Sequence, residues 1–300
     1  MKISEDSFIS WSKGPAQTES DKCDNAEAAV RKAIKADAKL TSLDITVSAK
    51  GSYLARTNVR QNSDVDICIR YNAEFFPEYP QGVMGDTFGH IDGTMSFADF
   101  KNMVQQALER YFGKNSITRG SKAFDVHANT YRIDADVIPT FEHRLYTGEF
   151  NTDGSHHYLS GVGFVPDNGG LIKNWPQQNY DNGIARNTAT GRKYKRVIRI
   201  LKRLRDKMQS ENVSAAVNIP SFLIECLVCN AELEAFSKDT YTGILRHVIV
   251  DIWNRTRKDE DCSEWGEDNE LKYLFRDSQP WTRQQANDFL QAAWDYIGYV

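Results

Sequence analysis

The sequence is short of the features that mark secreted, membrane-spanning and polynucleotide-gripping chains. Its 300 residues include five cysteines, Cys23, Cys68, Cys226, Cys229 and Cys262. That odd, scattered set has no secretory leader ahead of it, so the expectation is reduced thiols in the cytoplasm and no disulfide framework. No apolar run approaches the roughly 20 residues that span a bilayer, so no membrane is expected. A net charge of −4 argues against a protein whose main task is holding long nucleic acid, while leaving room for a local basic groove. Internal repeats and low-complexity tracts are missing as well. What remains is an ordinary globular composition, 40% apolar and 26% charged, long enough for one large domain or two modest ones.

Along the chain, the polar first twenty residues offer Phe8, Ile9 and Trp11 as anchors. A helix is expected over 18–40, with Ala26, Ala29, Val30, Ala33, Ile34 and Ala36 on one face. Ile45–Ala49 reads as a strand running into Gly51-Ser52, followed by a short helix over Tyr53–Val59 and a turn at Gln61-Asn62-Ser63. The next segment alternates. Val65, Ile67 and Ile69 point one way; Asp64, Asp66, Cys68 and Arg70 point the other. Residues 72–96, rich in Pro, Gly and Asp, suggest a connection or lid. Phe97–Phe112 carries a helical stripe, short strands follow at Ile117–Arg119 and Phe124–His127, and Thr130–Phe141 brings Asp134 and Asp136. Gly148–Gly170 reads as a hinge with a few strand residues. Helical patterns then dominate at Lys193–Met208, Ser221–Phe236, Thr240–Asn254 and Thr282–Ile297.

The acids carry the chemistry. Two carboxylates two apart on a strand share a face, and like charges raise each other's pKa unless cations lie between them. A third carboxylate from a neighbouring strand completes an all-oxygen set suited to Mg²⁺. Two ions about 3.5–4 Å apart clamp the attacking and leaving oxygens of an in-line displacement. The Gly-Ser turn at Gly51 and Ser52 gives the close backbone approach a triphosphate needs. Solvated acids on an edge strand are the bland alternative, and the full constellation of Gly51, Ser52, Asp64 and Asp66 weighs against it. For the third acid, Asp134 and Asp136 share a strand face and spacing does not choose. Asp136, next to the apolar Val137-Ile138, is favoured. The pattern points to two-metal nucleotidyl transfer.

Other signals are weaker. The stretch Tyr194–Lys207 puts Lys195, Arg199 and Lys202 on adjoining helical turns. A solvated basic face and a triphosphate contact are equally compatible with it. Cys226 and Cys229 sit in an apolar segment without a second ligand pair, which favours buried thiols over zinc. His156-His157 reads as a polar loop, and the Gly-x-Gly at 161–163 lacks the helix and acidic partner of a dinucleotide site.

Taken in order, GSYLARTNVRQNSDVDI, DADVIPTF, KNWPQQN, RVIRILKRLRD and IPSFLIECLV resemble the cGAS/DncV-like nucleotidyltransferases, over most of the chain. The resemblance implies an α+β fold, a polymerase-β-like core with a mixed sheet and flanking helices followed by a helical lobe. Residues 1–170 would form the core with its amino-terminal spine helix, and 171–300 the lobe that closes over the nucleotide. It also implies that Asp64, Asp66 and Asp136 bind two Mg²⁺, with Mn²⁺ as a substitute, and that Gly51 and Ser52 hold the β- and γ-phosphates. Lys202 matches the family's triphosphate-contacting lysine, Ser221 the serine that joins it, and Phe222 an aromatic that stacks on a base. The expected substrates are ATP, GTP or pyrimidine NTPs. The expected product is a cyclic di- or trinucleotide messenger of anti-phage defence, released with pyrophosphate. Relatives leave room for a regulatory protein partner. With no counterpart of the cGAS zinc ribbon, double-stranded DNA is not an expected activator. The competing expectations are a linear oligonucleotide product, modification of RNA or protein, and a non-catalytic nucleotide-binding module.

Overall fold

The computed structural model describes residues 2–59, 64–83 and 85–300; the turn expected at Gln61-Asn62-Ser63 lies outside them. In chain order the elements are α1 (Glu5–Trp11), α2 (Gln17–Ala36), β1 (Ile45–Ala49), α3 (Gly51–Ala55), β2 (Val65–Glu78), α4 (Phe97–Phe112), β3 (Ile117–Arg119), β4 (Phe124–Val126), β5 (Ala135–Phe150), β6 (His156–Phe164), β7 (Ile172–Asn174), α5 (Pro176–Ala189), α6 (Tyr194–Ser210), α7 (Ser221–Cys229), α8 (Tyr241–Thr256) and α9 (Arg283–Ile297).

Two compact units result: Ala16–Leu54 with Gln61–Pro176, and Met1–Pro15 with Ala55–Arg60 and Gln177–Val300. The division expected after residue 170 therefore shifts to Gln177, and the amino-terminal segment joins the helical unit. Hydrophobic burial accounts for this, because Ile3 and Phe8 lie in the same core as α6–α9.

In the first unit the sheet runs β1-β2-β5-β4-β3, with β6 on β5 and β7 on β6. The β2–β5 pair is parallel and the others antiparallel. Alternation decides its two faces. Val65, Ile67, Ile69 and Tyr71 of β2, Ala135, Val137 and Phe141 of β5, and Phe124 and Val126 of β4 meet the apolar stripes of α2 and α4 in one core. The Ser96 hydroxyl starts α4 by accepting the Asp99 N–H. Truncating Ile67, fully buried on the core face of the acidic strand, to Ala should cost about 2–5 kcal/mol.

Strand β2 continues to Glu78, into the stretch expected to be loop. β1 begins at Ile45, opposite Tyr71, so beyond that point no strand among the described residues pairs with this edge of β2, and Pro77 costs no ladder hydrogen bond there. The expected hinge over 148–170 is largely the β5–β6 hairpin.

The second unit packs α1 and α6–α9 around a core that includes Tyr194, Val197, Leu201, Leu223, Val248 and Phe289. The 221–236 segment is broken after Cys229 and resumes as a short turn at Leu233–Phe236. Helix α9 starts on a Thr282–Gln285 capping box. Among the described residues no helix is long and apolar enough to cross a membrane.

Candidate active site

Three strands bring three acids into one row. Asp66 of β2 stands opposite Asp136 of β5, and Asp136 stands opposite Asp125 of β4. The residues flanking each of them belong to the apolar core, so strand alternation sends all three carboxylates to the opposite face. Asp64 lies just ahead of β2, exposed, one alternation from Asp66.

Gly51 closes one end of this row. The Lys50 N–H donates to the Asp66 carbonyl at 2.7 Å, which carries the turn after β1 across Asp66. Gly51 has φ +64°, and a Cβ there would lie 2.0 Å from Asp66 Oδ2. Glycine is required twice over, for its dihedral and for its lack of a side chain. The helix that follows begins at Gly51 and ends at Ala55, earlier and shorter than the expected Tyr53–Val59. Ser52 sits in its first turn, half-buried.

Asp134, just ahead of β5, and Asp136, within it, have different surroundings. The Ala128 N–H donates to Asp134 Oδ1 at 2.6 Å, so this carboxylate organises the β4–β5 loop, while Asp136 faces Asp66. The field is strongly negative. Burial, then the charges of Asp134 and Asp125, push the Asp64 carboxyl up. Burial, then Asp64, Asp125 and Asp134, do the same to Asp136. Among the described residues no group of three His, Cys, Asp or Glu side chains is already placed to hold a metal ion. The donor chemistry nevertheless fits hard divalent cations, being carboxylate oxygen throughout.

Residues of the helical unit have their own partners. Lys202, 1% exposed, donates to Glu225 Oε1 at 2.5 Å and to the Thr57 carbonyl at 3.1 Å. Arg199 is buried and donates to the carbonyls of Ser12 and Arg56; burial, then Arg196 and other neighbouring charges, bring it down to about 10. Arg199 and Lys202 are thus buried and paired, while Lys195 is half-buried with its ammonium 5.7 Å from the Tyr180 ring centroid. The Ser221 hydroxyl accepts from Arg205 at 3.1 Å, and Phe222 packs edge-on against Trp281 at 6.3 Å. Cys226 is buried and reduced, and burial keeps its thiol well above the usual range.

Sequence reasoning missed Asp125 and Glu225. The first had a signal, since Phe124-Asp125-Val126-His127 alternates apolar and polar as Asp64–Ile67 does. The second had none, because its ion pair with Lys202 spans two helices.

Comparison with known proteins completes the picture. The model of the cGAS/DncV-like nucleotidyltransferase C-terminal helical domain matches residues 181–298. The chain is 40% identical to the cyclic dipyrimidine nucleotide synthase CdnE of Legionella pneumophila, over 98% of this chain and 97% of that one. The chain belongs to the cGAS/DncV-like nucleotidyltransferases. A second relative, the cyclic dipyrimidine nucleotide synthase CdnE of Cecembia lonarensis, is 37% identical over 99% of each chain. Among solved structures, the Elizabethkingia meningoseptica CdnE cyclic dinucleotide synthase with GTP and Apcpp superposes with a TM-score of 0.81 at 35% identity, over 99% of this chain and 100% of that one. As a member of this family the chain is a nucleotidyltransferase, and its α+β core with a helical carboxy-terminal unit is the family fold.

Proposed function

We propose that the chain is a cytoplasmic synthase that joins two pyrimidine NTPs into a cyclic dinucleotide messenger and releases pyrophosphate. The observation that carries the chemistry is the Asp66–Asp136 pairing beside Gly51. Two Mg²⁺ held by Asp64, Asp66 and Asp136 would polarise the α-phosphate and lower the pKa of the attacking hydroxyl. Gly51 leaves the backbone bare where the triphosphate approaches, and the Ser52 hydroxyl is available as a phosphate donor. In each transfer a sugar hydroxyl attacks the α-phosphorus, the bond to the β-phosphate breaks and pyrophosphate leaves; a second transfer closes the ring.

Lys202, Ser221 and Phe222 are assigned to nucleotide contact on the same reading. For Lys202 this means exchanging Glu225 for phosphate. Pyrimidine use is supported by the names of the 40% and 37% identical relatives. Incubating the protein with each pair of labelled NTPs and Mg²⁺, then phosphatase, tests both parts. A phosphatase-resistant product of dipyrimidine mass is expected. A purine product would overturn the base assignment, and a phosphatase-sensitive one the cyclisation.

A further inference from the structure

The acid row continues past the residues that the two-cation chemistry uses. Asp125 lies one strand beyond Asp136, and Thr118 of β3 stands opposite Asp125. From Gly51 outward the order on this face is therefore Asp66, Asp136, Asp125, Thr118. Strands are spaced roughly 4.8 Å apart, so Asp125 sits about 10 Å along the row from Asp66. In-line displacement gives the row a direction. On the nucleotidyl-transfer reading the triphosphate lies at the bare backbone of Gly51, so pyrophosphate would leave toward it and the attacking hydroxyl would enter from the opposite side, the side of Asp125.

The side chains at that end are accessible and lightly committed. Asp125 and His127 are 48% and 44% exposed, and His127 Nε2 lies 3.6 Å from Asp125 Oδ2. Among the described residues this imidazole is the one basic group within ion-pairing distance of Asp125. His127 Nε2 is itself within 2.9 Å of the Thr118 hydroxyl, so the ring is held beside the carboxylate. A structural acid on a sheet face is ordinarily neutralised by Lys or Arg, as Asp167 is by Lys101 and Arg119. Asp125 instead adds negative charge to a face already crowded with it. A sugar bearing hydroxyl donors is the ligand that a half-exposed carboxylate with no Lys or Arg partner among the described residues suits.

We propose that Asp125 receives a hydrogen bond from a ribose hydroxyl of the acceptor nucleotide and so positions that nucleotide for attack. This rests on the nucleotidyl-transfer reading above. His127 orients the carboxylate, and Gly51 and Ser52 serve the donor alone.

The test separates donor from acceptor. A 2′,3′-dideoxy-NTP donates but does not accept; an α,β-methylene NTP accepts but does not donate. With this pair and Mg²⁺, pyrophosphate release is measured for wild type, Asp125→Ala and Asp125→Asn, each checked by thermal melting. Asp125→Ala is expected to raise the acceptor KM about ten- to a hundredfold, the worth of one hydrogen bond to a charged group. The donor KM should stay unchanged. Asp125→Asn should recover part of the loss. Preference for ribo- over 2′-deoxyribo-acceptor should shrink in Asp125→Ala, which a merely structural role would not produce. An active wild type whose Asp125→Ala variant keeps its acceptor KM, or loses donor and acceptor affinity equally, overturns this assignment alone. A wild type that releases no pyrophosphate from any NTP pair overturns it together with the reading beneath it.

Discussion

Asp66 and Asp136 stand opposite each other on parallel strands, so their carboxylates share one face at the spacing of a single strand pair. With Asp64 alongside, like charges crowd a half-buried surface, and the Asp64 and Asp136 carboxyls are pushed up, by burial first and by neighbouring acids second. Asp136→Asn should therefore lower pyrophosphate release at least about a hundredfold, as losing a preorganised charge-stabilising group does. Its melting temperature without divalent ions should rise, because a disfavoured charge is gone. Mg²⁺ should raise the melting temperature of the wild type through preferential binding to the folded state and leave the variant's unmoved. A Mg²⁺ shift of equal size in both would contradict the assignment.

Gly51 tests the other end of the row. A methyl group there would meet the Asp66 carboxylate, on a backbone with φ +64°. Gly51→Ala should destabilise by about 1–3 kcal/mol from the dihedral alone, with a further loss from the collision. In a double-mutant cycle, Asp66→Ala should rescue the collision part and not the dihedral part. Additive melting losses would show that the two groups do not touch.

Lys202 and Glu225 form a buried pair. Removing one partner strands the other charge, and Lys202→Met should cost about 3–5 kcal/mol of stability. Lys202→Met with Glu225→Leu should recover much of it. If the double variant is as unstable as the single one, the pair is not the source of the loss. Activity lost on changing Lys202 has to be judged against this melting effect.

What the sequence disclosed and what it hid divide along physical lines. The β2 alternation and the Gly51-Ser52 turn are local, so both were readable. Asp134 differs from Asp136 in accepting from the Ala128 amide, a contact made only once the β4–β5 loop is folded. Asp125 has its pattern in a three-residue strand, and its place in the row depends on register with β5, which no local signal carries. Pro77 looked like a strand breaker because edge position is a tertiary property. Helix α5, with two asparagines and a glycine among its residues up to Gly183, lacks a strong apolar stripe and went unread. The helical pattern expected over Lys193–Met208 is met by α6, which buries Val197, Ile198, Leu201 and Leu204. The pattern did not foresee that Arg199 and Lys202 are also buried, each satisfied by groups distant in sequence.

Asp268 gives a pH dependence with a definite sign. Burial, then the charge of Glu225, raise its carboxyl to about 7 from 3.8, while the Tyr194 hydroxyl donates to it. The folded state therefore holds a proton that the unfolded chain releases near pH 4. Stability should fall as pH rises from about 4 to about 7, then level off. Asp268→Asn should flatten that slope in denaturant titrations across this window. An unchanged slope would show that Asp268 is ionised throughout.

The most direct test of the acid row is the product itself. Wild type and Asp66→Asn, each shown folded by circular dichroism, are incubated with labelled NTP pairs with and without Mg²⁺, and the products are identified by mass. A Mg²⁺-dependent cyclic dinucleotide from wild type and none from Asp66→Asn is the predicted result. Undiminished synthesis by the folded variant would contradict it.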